Sequence, residues 1–135
     1  MFVLDTNAVI AVLNESNPAV TERLVLEFSK ATPILLSSIV LYELRYGVSK
    51  SKRQDRNEAL LSRFLDAPLT LIPFEQEDAH HAGDIRAHLE RHGDPIGPYD
   101  ILIAAQARYR AATLVTSNLR EFRRVPDLIV ENWAA

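Results

Sequence analysis

Phe2-Val3-Leu4-Asp5-Thr6-Asn7-Ala8-Val9-Ile10-Ala11-Val12-Leu13 decides the fold. Phe2 to Leu4 is an apolar run too short for a helix and suited to a buried strand. Asp5, Thr6 and Asn7 are all competent helix N-caps, and Ala8 to Leu13 reads as the short apolar helix that follows. A strand passing through an acid into a helix is the opening unit of an α/β sheet. The same passage sets the Asp5 carboxylate against apolar neighbours, where an unpaired charge is costly or neutralises itself.

That conflict recurs twice. Glu43 is the only acid between Ser37 and Tyr46, inside Ile39-Val40-Leu41-Tyr42-Glu43-Leu44, and Asp100 abuts Ile101-Leu102-Ile103-Ala104-Ala105. Three carboxylates among packing residues point to a shared compensating cation. Oxygen-only ligands suit Mg²⁺ or Mn²⁺.

Outward from the first strand, Asn17-Pro18 opens a helix to about Lys30, with Val20, Leu24 and Phe28 at four-residue spacing. Ile34-Leu35-Leu36 is a second strand. Ser37 or Ser38 caps the helix that carries Glu43 to about Lys50. The polar run Ser49 to Asn57 reads as a turn or helix junction. A further helix ends near Asp66, with Leu60, Leu61, Phe64 and Leu65 on its inner face. Leu69 to Ile72 is a third strand, and Glu75 to His92 is an amphipathic helix stopped by Gly93. A helix from Pro98 to about Ala111 carries Asp100, Thr113 to Thr116 is a fourth strand, and Leu128 to Val130 is a fifth. Short apolar strands alternating with helices predict an α/β three-layer sandwich. Its mostly parallel central sheet has four to five short strands flanked by helices. Residues 1–135 read as one domain.

Composition narrows the function. Apolar residues make up 47% of the chain, enough for a continuous core. The longest apolar run, Ala8 to Leu13, falls far short of a membrane span. With no secretion signal read at the N-terminus, a cytoplasmic protein is expected. There are no cysteines, which excludes disulfides, thiolate catalysis and thiolate zinc sites. The net charge of −3 argues against indiscriminate coating of nucleic acid. It leaves room for a nuclease whose acidic centre holds metal and whose arginines lie elsewhere.

In open α/β sheets ligands bind beyond the carboxyl ends of the strands. Asp5 is at that end of strand one, and Thr116 and Asn118 are at that end of strand four. The topology can bring Asp5, Glu43, Asp100 and Asn118 to one crevice. Taken singly, each has a plainer reading: Asp5 and Asp100 as helix caps, Glu43 paired with Arg45 or a remote arginine, Thr116-Ser117-Asn118 as a polar turn. Joint placement at one sheet edge is what favours a site. His88 and His92 have helical i, i+4 spacing but no accompanying zinc motif, and the four glycines form no phosphate cradle.

Four blocks resemble, in order, the PIN domain family and more narrowly the VapC-type toxins of bacterial toxin–antitoxin pairs. They are Val3-Leu4-Asp5-Thr6-Asn7, Ser37 through Gly47, Gly97-Pro98-Tyr99-Asp100 through Ala105, and Val115-Thr116-Ser117-Asn118-Leu119-Arg120-Glu121-Phe122. The resemblance implies a parallel sheet, a Mg²⁺ or Mn²⁺ centre and endoribonuclease activity. It matches Asp5, Glu43 and Asp100 to the family's three invariant acids, Thr116 and Asn118 to its fourth motif, and Asn7 to a polar position near the metal. Many relatives have an aspartate where this chain has Asn118, with Glu121 three residues later. Either residue is a candidate to complete the site. It also implies a homodimer neutralised by a VapB-type antitoxin, with operator DNA bound only through that antitoxin in a larger hetero-oligomer. The expected substrate is structured RNA, a tRNA anticodon loop and in particular initiator tRNA.

The chemistry follows from charge. Asp5 and Asp100 are expected to ligate the ion, with Glu43 a ligand through water or the general base. Thr116 and Asn118 orient water or phosphate. The ion activates water for in-line attack on phosphorus, leaving a 5′-phosphate and a 3′-hydroxyl. RNA has two candidate basic rims: Lys50, Lys52, Arg53 and Arg56, and Arg120, Arg123 and Arg124. Solvated charge is the plain alternative for both. Two other readings compete, a housekeeping RNA-processing nuclease and a non-catalytic scaffold that binds RNA or protein. A haloacid-dehalogenase-type phosphohydrolase wants a second aspartate at position 7, which is asparagine.

Overall fold

The computed structural model describes residues 1–134. Five strands form one sheet: β1 Phe2–Leu4, β2 Ile34–Ser37, β3 Thr70–Ile72, β4 Thr113–Val115 and β5 Ile129–Glu131. Their order is β3-β2-β1-β4-β5, and every pairing is parallel. The three central strands, β2, β1 and β4, are mostly buried because helices cover both faces of such a sheet, while the edge strands β3 and β5 are more exposed. Val3, Leu36 and Leu114 have no exposed surface.

Seven helices are described: α1 Thr6–Leu13, α2 Pro18–Ser29, α3 Ser38–Lys50, α4 Gln54–Leu65, α5 Gln76–Arg91, α6 Pro98–Tyr109 and α7 Leu119–Phe122. Local chemistry sets their starts. Asp5 caps α1 by accepting the Ala8 N–H at 2.8 Å, Asn17 caps α2 ahead of Pro18, and Ser37 caps α3. α1 therefore begins two residues earlier than the apolar run indicated, because Thr6 and Asn7 join its first turn. The run from Ser49 to Asn57 is mostly helical as well, with only 51–53 linking α3 to α4. The four-residue α7 was not expected from the sequence.

On α4, Leu61 and Phe64 are buried while Leu60 and Leu65 are half-buried. On α2, Val20 and Leu24 are buried, and so is Glu27. Glu27 accepts hydrogen bonds from Arg23 Nε and Thr32 Oγ1, each at 2.8 Å, and Arg23 holds its carboxyl below the usual range. Arg23 also reaches Glu131 at 2.8 Å and lies over the Trp133 ring at 5.0 Å, fastening the last strand to α2. A second buried acid, Asp78, accepts from the Glu75 N–H at 2.8 Å and from Arg110 at 2.7 Å. It closes the start of α5 and ties α5 to the end of α6.

β1 is central, with β2 on one side and β4 on the other. The chain leaves β1 toward β2 and returns later to the opposite flank. Such a reversal opens a crevice beyond the strand ends. Leu4 is level with Val115, and the Asp5 N–H extends the ladder to the Val115 carbonyl at 3.1 Å. Asp5 and Thr116 thus emerge side by side.

Candidate functional site

Asp5 is 4% exposed and Thr116 is 1% exposed. Burial raises the Asp5 carboxyl above its ordinary range. The Thr116 hydroxyl and the Ala8 N–H pull it down in part, and the Glu43 charge adds to the rise. Thr116 also accepts the Asn118 N–H at 2.9 Å, which turns the chain from β4 into α7.

Glu43 lies on α3, which Ser37 anchors. The Ser37 hydroxyl accepts the Ile39 N–H at 2.9 Å and donates to Gln106 Oε1 on α6. Gln106 is fully buried and also donates to the Pro73 carbonyl at 3.2 Å. This buried link fixes α3, the bearer of Glu43, against α6, the bearer of Asp100. The Glu43 carboxylate accepts the Thr6 hydroxyl at 2.7 Å, so α1 and α3 meet at this acid. Arg45 pairs with Glu58 at 2.7 Å rather than with Glu43.

Asp100 is half-buried in the first turn of α6. Among the described residues nothing donates a hydrogen bond to it. Burial is the main cause of a pKa pushed up to about 6, and the charges of Glu43, Asp5 and Glu121 raise it further. A β-carbon added at Gly97 would meet Asp100 Oδ2 at 3.3 Å, so glycine keeps this carboxylate unobstructed. Acids from three other stretches, Glu43, Asp5 and Glu121, thus lie near enough to Asp100 for their charges to be felt there, making this an acidic basin.

Among the described residues, no three acidic or histidine side chains stand within joint reach of one ion. The basin gathers charge without closing into a chelate, and Glu43 is drawn aside by Thr6. Mg²⁺-type ions take one or two carboxylates and keep several waters. A buried Asp5, an Asp100 without a donor and an all-oxygen surround fit that class of cation.

The other sequence candidates fall as follows. Asn118 precedes α7, and its side chain makes no capping bond. Of Asn118 and Glu121, it is Glu121 whose charge is felt at Asp100. Arg53, Arg56 and Arg120 are exposed, and no ion pair holds them among the described residues. Arg124 is occupied with the Pro95 carbonyl at 3.1 Å. His88 and His92 stack at 4.1 Å, and His92 Nδ1 is 2.8 Å from the His88 carbonyl, so they do not converge on an ion. Sequence reasoning missed Thr6, Gly97 and Gln106. Thr6 and Gly97 stood inside the matched blocks without a role in the site assigned to them, and Gln106 showed only as a polar break in an apolar helix.

Known proteins resemble this chain along nearly its whole length. Residues 2–128 match the PIN domain family. Ribonuclease VapC2 of Rickettsia felis is 43% identical over 133 residues, covering 98% of each chain. The tRNA(fMet)-specific endonuclease VapC of Salmonella typhimurium is 41% identical over 132 residues, covering 98% of this chain and 97% of the relative. The crystal structure of VapBC2 from Rickettsia felis bound to a promoter DNA fragment superposes with a TM-score of 0.91 at 42% identity, covering 98% of each chain. DNA-bound VapBC from Salmonella typhimurium gives a TM-score of 0.90 at 41% identity, covering 98% of this chain and 97% of that one. Sequence and fold agree end to end, and this protein belongs to the PIN domain family.

Proposed function

We propose that this chain is a divalent-metal-dependent endoribonuclease, the toxin of a toxin–antitoxin pair, and that it cuts structured RNA. The observation that carries the reading is Asp100. It is half-buried, lacks a donor and faces Asp5, Glu43 and Glu121, and its pKa is pushed up to about 6. Carboxylates raised by burial and by like charges cluster at functional sites. A divalent ion bound there, Mg²⁺ or Mn²⁺, would supply charge for the phosphate and acidify water.

The roles divide among the residues. Asp5 and Asp100 hold the ion. Glu43 takes a proton from the attacking water, or reaches the ion through water, with Thr6 setting its position. Thr116 holds Asp5, and Asn118 orients water or phosphate. Arg53, Arg56 and Arg120 contact the RNA backbone. Hydrolysis by this route leaves a 5′-phosphate and a 3′-hydroxyl.

A relative at 41% identity is named a tRNA(fMet)-specific endonuclease, which supports a tRNA anticodon loop, that of initiator tRNA, as the substrate. The VapBC structures, both bound to DNA, support a VapB-type antitoxin as the partner and operator DNA as a ligand of the joint complex; that the toxin is a homodimer and that the antitoxin makes the DNA contact are parts of the same proposal. The cytoplasm is the compartment such a substrate requires. The test is incubation of purified protein with total tRNA and Mg²⁺, followed by mapping of the cut sites and end groups. One dominant cut in initiator tRNA with a 5′-phosphate is expected, abolished by EDTA and by Asp5→Asn with folding intact. A 2′,3′-cyclic phosphate, or cutting unaffected by either change, overturns the reading.

A further inference from the structure

Tyr42 and Tyr99 stand one residue before Glu43 and Asp100, on α3 and α6. They are 51% and 44% exposed. Their rings meet edge to face at 5.4 Å with planes inclined at 62°, and their hydroxyls are 3.4 Å apart. The charge of Glu43 is felt at the Tyr42 hydroxyl. The two helices that deliver acids to the basin thus also deliver an aromatic pair to its lip. None of the roles assigned above uses these rings.

Building on the endoribonuclease reading, we infer that Tyr42 and Tyr99 form a stacking platform for an unpaired nucleobase beside the scissile phosphate of an RNA loop. Electrostatics gives the first reason. The side chains grouped near Asp100 are acids, so apart from a bound ion no cation is assigned there to grip the RNA backbone. The basic rims contact it elsewhere. An uncharged contact is needed next to the acids, and an aromatic face supplies one that tolerates any base. Geometry gives the second reason. An edge-to-face pair spends one ring's edge and one face of its partner, leaves the remaining faces for stacking, and both residues are about half exposed. The adjacency of each tyrosine to an acid sets the reach, because a base and its own phosphate are neighbours.

The test uses a hairpin RNA with 2-aminopurine placed in turn at each loop position. In EDTA, where nothing is cut, wild-type protein is expected to quench the probe at one position through stacking. Tyr42→Leu and Tyr99→Leu keep apolar bulk and lose the π face. They are expected to lose the quench and to weaken binding roughly five- to hundred-fold. Tyr42→Phe and Tyr99→Phe are expected to retain both. With Mg²⁺ the leucine variants should raise KM more than they lower kcat. Cutting by wild type with no quench at any position overturns the platform and leaves the nuclease reading standing. Quenching without cutting does the reverse. Leucine variants with unchanged KM but lost inhibition by the antitoxin would assign the pair to the protein partner and overturn the platform.

Discussion

Replacing Asp100 by asparagine should stabilise the protein while destroying its activity. The amide keeps the shape of the side chain and removes the charge that burial and three neighbouring acids oppose. The gap between the ordinary 3.8 and about 6 corresponds to about 3 kcal/mol at roughly 1.4 kcal/mol per tenfold change in proton affinity. Solvent reaches this half-buried group and screens the repulsion, so about 1–2 kcal/mol is the expected gain. The sign follows from linkage. Between 3.8 and about 6 the folded protein binds more protons at Asp100 than the unfolded chain does. Its stability therefore falls as pH rises through this window, and above it the penalty is complete. Urea unfolding in EDTA should show Asp100→Asn more stable than wild type at about pH 8, with the difference gone at about pH 3. Mg²⁺ should then stabilise wild type and leave the variant unmoved. A variant that loses stability at the higher pH, or a gain indifferent to pH, would refute the reasoning, because it would mean the folded structure already satisfies this carboxylate.

Three further outcomes are expected. Thr6→Val removes the 2.7 Å hydrogen bond to Glu43 and should lower the single-turnover rate about fivefold, from about 1 kcal/mol, without changing RNA affinity; an unchanged rate would show that Thr6 does not position the acid. Asp78→Ala strips the partly buried Arg110 of its fully buried partner and should cost about 2–3 kcal/mol in urea unfolding, while Asp78→Leu with Arg110→Met should recover most of that loss; equal losses in both variants would contradict the buried-charge account. Charge reversal at Arg53 and Arg56 together should weaken RNA binding and flatten its salt dependence by about one to two in log–log slope, with metal affinity unchanged. Loss of both affinities would point to misfolding.

Much of this was legible in the sequence because local patterns carried it. Short apolar runs set the five strands. Asp5, Asn17-Pro18 and Ser37 marked helix starts by cap chemistry, and acids set among packing residues marked the basin. Strand order is not a local property, so the central place of β1 emerged only with the structure. α7 escaped because four residues after Thr116-Ser117-Asn118 carry no periodicity to detect. Thr6 escaped because its partner, Glu43, is 37 positions away. Asp78 and Glu27 looked like ordinary surface acids, yet both had signals. Asp78 has capping-box spacing to Glu75, and Glu27 shares a helical face with Val20 and Leu24. Their compensating arginines are what made burial tolerable, and Arg110 lies too far along the chain to suggest the pairing.

Direct location of the ion tests the central claim. Crystals soaked in Mn²⁺ and measured at its absorption edge should show one strong anomalous peak between Asp5 and Asp100, absent in Asp5→Asn. A peak elsewhere, or none there at saturating Mn²⁺, would contradict a metal-centred nuclease.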